Sequence, residues 1–340
     1  MFPGRFTLCL NARNLPAMRR FYEALGMVVH IDEPTSVVLH NGDAGLALMT
    51  ILDEPCLNFR GADPANVQEA MTGKGLALAG TPARYEKAQY RTKTGGNNWS
   101  TTDPDGNNVF FDTNDGEVGT EGAALALQQV LDATSKQLSN VAAPGPDRDA
   151  FARVVDKFMP TALRKTTRYG LLSPPSTKPG AFAGSFTLCL KTSDTARARE
   201  FYEAMGLAVT GNNDENRVQM GNGDCQLALM SFLEENWLNF RGVDPSRIQR
   251  QLSDAGLTPE GDPARYTEEE FGVPGAHWQT KDPDGNVVYF DTSDPELIVD
   301  GAPPAVRAVL ERALRQLSDI RADDACIDAI RVDVLSRFSE

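Results

Sequence analysis

Phe21-Tyr22-Glu23-Ala24-Leu25-Gly26 returns as Phe201-Tyr202-Glu203-Ala204-Met205-Gly206, and Asp103-Pro104-Asp105-Gly106-Asn107 returns as Asp282-Pro283-Asp284-Gly285-Asn286. The offsets are 180 and 179 residues, and two further stretches return at nearly the same spacing: Phe6–Leu10 as Phe186–Leu190, at 180, and Leu57–Gly61 as Leu238–Gly242, at 181. Solenoid units run to roughly 20–50 residues, so a period this long makes each copy a whole domain. Any function has to be read once per copy.

Within the first copy, Phe6 to Leu10 reads as a strand and Leu15 to Leu25 as a helix with Met18, Phe21, Tyr22 and Leu25 on one face. Strands follow at Met27–Ile31, Ser36–His40 and Gly45–Ile51, the last two joined by the turn Asn41-Gly42-Asp43. A second unit starts with the strand Cys56–Arg60 and the helix Ala65–Met71, which Asp63-Pro64 opens, and ends in the hairpin Trp99–Thr102 and Val109–Thr113. Copy two repeats the order, with Ser193 or Asp194 capping its first helix. The expected domains are therefore 1–118 and 185–297. A helical arm at 119–170 carries Leu127, Val130, Leu131, Thr134 and Leu138. Another at 298–340 carries Val306, Val309, Leu310, Leu314 and Leu317 at helical spacing. Residues 171–184, rich in Pro and Gly, are the expected linker. The arms read as packing or homodimer helices.

The chain has 340 residues, 41% hydrophobic and 24% charged, which suits two full cores. Its net charge of −14, with no basic run, argues against a nucleic-acid partner. No stretch has the length and apolarity of a membrane span, and no secretory pattern opens the sequence. Five cysteines without close pairs fit a reducing compartment, so the expected location is cytoplasmic.

The opening strand, the Phe-Tyr-Glu-Ala helix, the Asn-Gly-Asp turn and the Asp-Pro-Asp-Gly-Asn hairpin, in this order and twice, resemble the vicinal oxygen chelate superfamily. That superfamily holds glyoxalase, bleomycin-resistance and extradiol dioxygenase proteins. The resemblance covers about 1–115 and 181–295. It implies an α+β fold of tandem glyoxalase/bleomycin-resistance-like domains, each of two βαβββ units forming a cup-shaped mixed sheet, with a helical arm after each domain. It also implies one divalent metal per cup, held by His or Glu at four strand positions. Those positions align with Thr7, Ala47, Cys56 and Phe110 in copy one, and with Thr187, Ala228, Trp237 and Tyr289 in copy two. None is His or Glu, and no metal ligand or other cofactor is assigned.

Strand alternation gives the cup face independently. Phe6, Leu8 and Leu10 face the helices, leaving Thr7 and Cys9 on the cup side. The candidate ligand-binding residues are Thr7, Asn58, Arg60 and Phe110 in copy one, and Thr187, Trp237, Asn239, Arg241, Gln279 and Tyr289 in copy two. Apolar patches with a few fixed polar groups suit a small organic molecule. Other readings stand beside this one: Arg60 and Arg241 as ion-pair partners of Asp112 and Asp291, Trp237 and Tyr289 as fillers of a closed cup, and Cys9 and Cys189 as buried hydrophobes. The expected function is small-molecule binding without a metal. The alternative is a lyase, isomerase or oxygenase with atypical or absent metal ligands, for which His277, opposite Asp291 and near Tyr289, supplies the catalytic candidates.

Overall fold

The computed structural model describes residues 3–41, 44–88, 95–115, 127, 130–131, 134–135, 138, 143, 145–158, 183–222, 225–297, 303–319 and 322–338. Copy one runs β1 (Gly4–Asn11), α1 (Leu15–Ala24), β2 (Val28–Glu33), β3 (Ser36–Asn41), β4 (Ala44–Met49), then β5 (Cys56–Gly61), α2 (Pro64–Gly73), β6 (Ala83–Tyr85), β7 (Gly96–Thr102) and β8 (Asn108–Asn114). Helix α3 (Gly145–Phe158) follows. Copy two runs β9 (Ser185–Lys191), α4 (Thr195–Met205), β10 (Ala208–Asn213), β11 (Arg217–Asn222), β12 (Cys225–Met230), β13 (Trp237–Arg241), α5 (Pro245–Asp254), β14 (Ala264–Tyr266), α6 (Glu268–Phe271), β15 (Gly275–Lys281) and β16 (Val287–Ser293). Helices α7 (Pro303–Asp319) and α8 (Asp324–Ala329) close the chain, with a short helical extension behind α8.

Each copy makes one eight-stranded mixed sheet, ordered β2-β3-β4-β1-β5-β8-β7-β6 and, in copy two, β10-β11-β12-β9-β13-β16-β15-β14. The first strands of the two units, β1 and β5, pair antiparallel at the centre, and each pairs in parallel with the last strand of its own unit. That is two βαβββ units related by a local two-fold. The three-residue strands β6 and β14 complete the second unit of each copy, where sequence periodicity shows no strand.

The helix-facing side of each strand is closed: Phe6, Leu8 and Leu10 are buried, as are Leu57, Phe59 and Phe111, and Phe59 and Phe111 stack at 5.6 Å. Helix α1 starts where Asn14 accepts the Ala17 N–H at 3.2 Å, and α4 where Asp194, rather than Ser193, accepts the Arg197 N–H at 3.0 Å.

The two motifs that define the repeat meet across the domain boundary. The buried Tyr22 hydroxyl donates to Asp282 Oδ2 at 2.8 Å, and the buried Tyr202 hydroxyl donates to Asp103 Oδ2 at 2.8 Å. Each aspartate also organises its own turn. Asp103 Oδ1 accepts the Asp105 and Asn107 N–H groups at 3.0 and 2.8 Å, and Gly106 (φ 89°) takes the left-handed conformation that the turn requires. Asp282 does the same for Asp284 and Asn286. Around these contacts α1 packs on α5 and α2 on α4. Gln251 donates to Ala24 O at 2.6 Å, and Lys74 donates to Glu203 O at 3.0 Å. Asp-Pro-Asp-Gly-Asn is thus both a hairpin turn and half of a reciprocal domain clasp.

Burial, with the neighbouring Asp282 or Asp103 carboxylate, raises the Tyr22 and Tyr202 hydroxyls well above their ordinary value of 10.0. Above pH 10 the unfolded chain gives up these protons while the folded chain keeps them, so the unfolded state binds fewer protons and stability falls as pH rises. The loss is about 1.4 kcal/mol per pH unit per tyrosine. Urea unfolding between pH 9 and 11.5 is expected to show a steeper alkaline decline for the wild type than for Tyr22→Phe/Tyr202→Phe; equal slopes would contradict the burial assigned to both hydroxyls.

The arms dock within the chain. Ala150, Phe151 and Val154 of α3 are buried, as are Ile330 and Val334 of the extension behind α8, and these two segments pack together. Of the first arm's expected helical positions, Val130, Leu131, Thr134 and Leu138 are helical and buried. In the second arm Val306, Val309, Leu310 and Leu317 are buried, and α7 lies on β11. The linker expected at 171–184 lies almost wholly outside the described residues. Among the described residues no helix is long and apolar enough to cross a membrane.

Candidate functional site

Strand register lays out the open face of each sheet as rows. In copy one, Arg5, Arg60, Asp112 and Asn98 form one row, Thr7, Asn58, Phe110 and Ser100 the next, and Ala47, Cys9, Cys56 and Asn108 the third. In copy two the rows are Ser185, Arg241, Asp291 and His277; then Thr187, Asn239, Tyr289 and Gln279; then Gln219, Ala228, Cys189, Trp237 and Val287. Thr7, Asn58, Arg60 and Phe110 thus share one face, and so do Thr187, Trp237, Asn239, Arg241, Gln279 and Tyr289.

The arginines are committed. Arg60 ion-pairs with Asp112, whose other oxygen accepts from Asn58 at 2.8 Å. Arg241 ion-pairs with Asp291, whose other oxygen accepts from Asn239 at 2.7 Å, and its second arm reaches Glu296 at 2.5 Å. Of the two readings of these arginines, the structure supplies the ion pair, which ties strand to strand across each cup. With both Asp291 oxygens occupied, no hydrogen bond joins His277 to Asp291 among the described residues, although the two are register partners. The His277 ring instead sits 5.9 Å from Tyr289 and 6.1 Å from Tyr266. Burial pushes the Tyr289 hydroxyl up to about 12, so it stays protonated at neutral pH.

The two cups differ in their floors. Cys9 and Cys56 are direct cross-strand partners, a juxtaposition that needs the β1–β5 register to be seen. The hydrogen bond to Cys56, and then burial, raises the Cys9 thiol, while the same bond lowers Cys56. In copy two the Cys56 position is Trp237, which stacks on Tyr289 with centroids 4.8 Å apart and an interplanar angle of 24°. Beside it, Cys189, Ala228, Met230 and Leu233 form a buried apolar cluster separate from the main core. Tyr266 continues the aromatic wall by lying across Gly275, where a Cβ would stand 2.2 Å from its hydroxyl oxygen.

These rows decide the architecture: two central antiparallel first strands, each in parallel with its unit's last strand, opening a cup on the side away from the helices. The chain has the vicinal oxygen chelate fold, in tandem. No family model matches it, and no curated protein matches it. Among solved structures it is similar to the 2,3-dioxygenase LapB from Pseudomonas sp. KL28, at 13% identity and a TM-score of 0.48 over 86% of this chain and 91% of that one. It is also similar to a Mn(II)-bound glyoxalase from Novosphingobium aromaticivorans, at 12% identity and a TM-score of 0.45 over 88% of this chain and 84% of that one. A third is homoprotocatechuate 2,3-dioxygenase from Brevibacterium fuscum, at 14% and 0.48 over 86% and 72%. The fold assignment rests on strand order and register.

At the four positions per cup where the sequence resemblance implies metal donors, this chain presents Thr, Ala, Cys and Phe, or Thr, Ala, Trp and Tyr. Alanine and phenylalanine have no donor atom, and a tyrosine that keeps its proton to about pH 12 is a poor one. Among the described residues no three His, Cys, Asp or Glu side chains gather closely enough to hold an ion. The donor set does not fit the divalent metal that the resemblance implies.

Proposed function

We propose that the protein binds a small organic molecule in the cup of its second domain, with no metal between ligand and protein. The observation that carries this is the apolar cluster of Cys189, Ala228, Met230 and Leu233 with half-buried Trp237, on the open face of the sheet rather than under its helices. An aromatic wall over an apolar floor, with the exposed amide of Gln279 and the hydroxyl of Thr187 beside it, offers burial to a ligand's body and direction to its polar groups. The first cup has the same frame, but Cys56 and Phe110 replace the tryptophan and tyrosine, so the two cups are read as having different ligands or only one.

Crystals soaked with single aromatic fragments in the presence of EDTA test this reading. Fragment density against Trp237 and Tyr289 is the expected result. A second cup left empty by a panel of such fragments, or a cation bonded to protein atoms inside it, would overturn the proposal.

A further inference from the structure

Arg217 opens β11 and pairs with Met230, which pairs in turn with Lys191, so its side chain leaves the sheet on the cup side. Its Nε is shielded from solvent and has no hydrogen-bond partner, and no carboxylate forms an ion pair with its guanidinium among the described residues. Its neighbours do not resolve this. Asp214 accepts the Arg217 backbone N–H, at 2.9 Å, and Gln219 turns its amide oxygen onto Gly211, where a Cβ would stand only 1.9 Å away. Asp291 and Glu296 are taken by Arg241. Burial pushes the Cys189 thiol up to about 12 even against the opposing pull of the Arg217 charge, so that thiol is neutral and supplies no counter-ion.

A half-exposed guanidinium whose Nε–H is buried and unpaired, beside the apolar cluster of Cys189, Ala228 and Met230, is an incomplete interaction, since such groups are ordinarily hydrogen-bonded. Its geometry matches a carboxylate, which accepts two parallel N–H bonds. The charge bears on Cys189, and the cross-strand partner of Cys189 is Trp237, about 5 Å away at the usual spacing of such pairs. The anion position and the aromatic wall are therefore one small molecule apart. In copy one the same register position, opposite Met49, is Ser36, so the charge belongs to the second cup alone.

We propose that the second cup selects flat aromatic compounds carrying an anionic group, a carboxylate above all, with the anion on Arg217 and the ring against Trp237 and Tyr289. This rests on reading the second cup as a receptor. A chain of net charge −14 thus places a guanidinium with an unpaired Nε–H on the face where the ligand would sit.

Calorimetric titrations with 2-naphthoate and its uncharged isostere 2-naphthamide test it on wild type, Arg217→Met and Arg217→Lys. The expected result is a preference for naphthoate of about ten- to hundredfold in the wild type, lost in Arg217→Met and partly kept in Arg217→Lys, with naphthamide affinity unchanged throughout. Unchanged naphthamide binding also reports that each variant is folded. Equal wild-type affinity for the two probes, or a preference that survives Arg217→Met, overturns the anion assignment and leaves the receptor reading standing. Failure of both probes to bind the wild type removes the receptor reading, and this inference with it.

Discussion

Asp103→Ala, which removes a charged acceptor of four hydrogen bonds, is expected to destabilise the protein by about 3–5 kcal/mol, against about 1–2 kcal/mol for Tyr202→Phe. The asymmetry follows from what each substitution strands. Removing the carboxylate leaves the fully buried Tyr202 hydroxyl without its acceptor and takes away the three hydrogen bonds that hold the turn at Asp105 and Asn107. Removing the hydroxyl leaves a carboxylate that still has its turn donors. The same ordering is expected for Asp282→Ala over Tyr22→Phe, because the copies exchange these contacts reciprocally. The two aspartates serve one interface, so Asp103→Ala/Asp282→Ala should be non-additive and should split a single unfolding transition into two. Denaturant melts followed by tryptophan fluorescence and by far-UV circular dichroism check this. Coincident transitions in the double variant, or a Tyr→Phe cost as large as the Asp→Ala cost, would contradict the clasp.

Trp237→Ala is expected to weaken 2-naphthoate binding about thirtyfold or more, the size of effect seen when an aromatic anchor is removed from a desolvated site. Tyr289→Phe, which keeps the stacked ring and loses only a hydroxyl, should change affinity less than about threefold, because offset stacking and area burial carry the contact. Trp237→Cys recreates the residue of the first cup and should behave like Trp237→Ala. A ligand bound elsewhere would respond to none of the three.

Much of this was legible in the chain because the repeat prints the fold twice and alternation on strands such as Phe6–Leu10 separates the helix side from the cup side. The pairing of Arg60 with Asp112 and of Arg241 with Asp291 is one of two readings that the sequence leaves open, and the parallel register of their strands decides for it. Other features were hidden for physical reasons. Strands of three residues such as Ala83–Tyr85 are shorter than any period. The Tyr22–Asp282 bond joins residues 260 apart, and no local signal marks it. Cys9 meets Cys56, and Arg217 lines up with Met230 and Lys191, only once strands from different parts of the chain are in register.

The central claim is that the second cup receives an organic ligand directly, without an intervening ion. It is tested most directly by titrating 2-naphthoate into protein stripped with EDTA, and again after adding Mn(II) or Fe(II). The account predicts one-to-one binding of the same affinity in both titrations. Binding that disappears with the chelator and returns with the ion would contradict it.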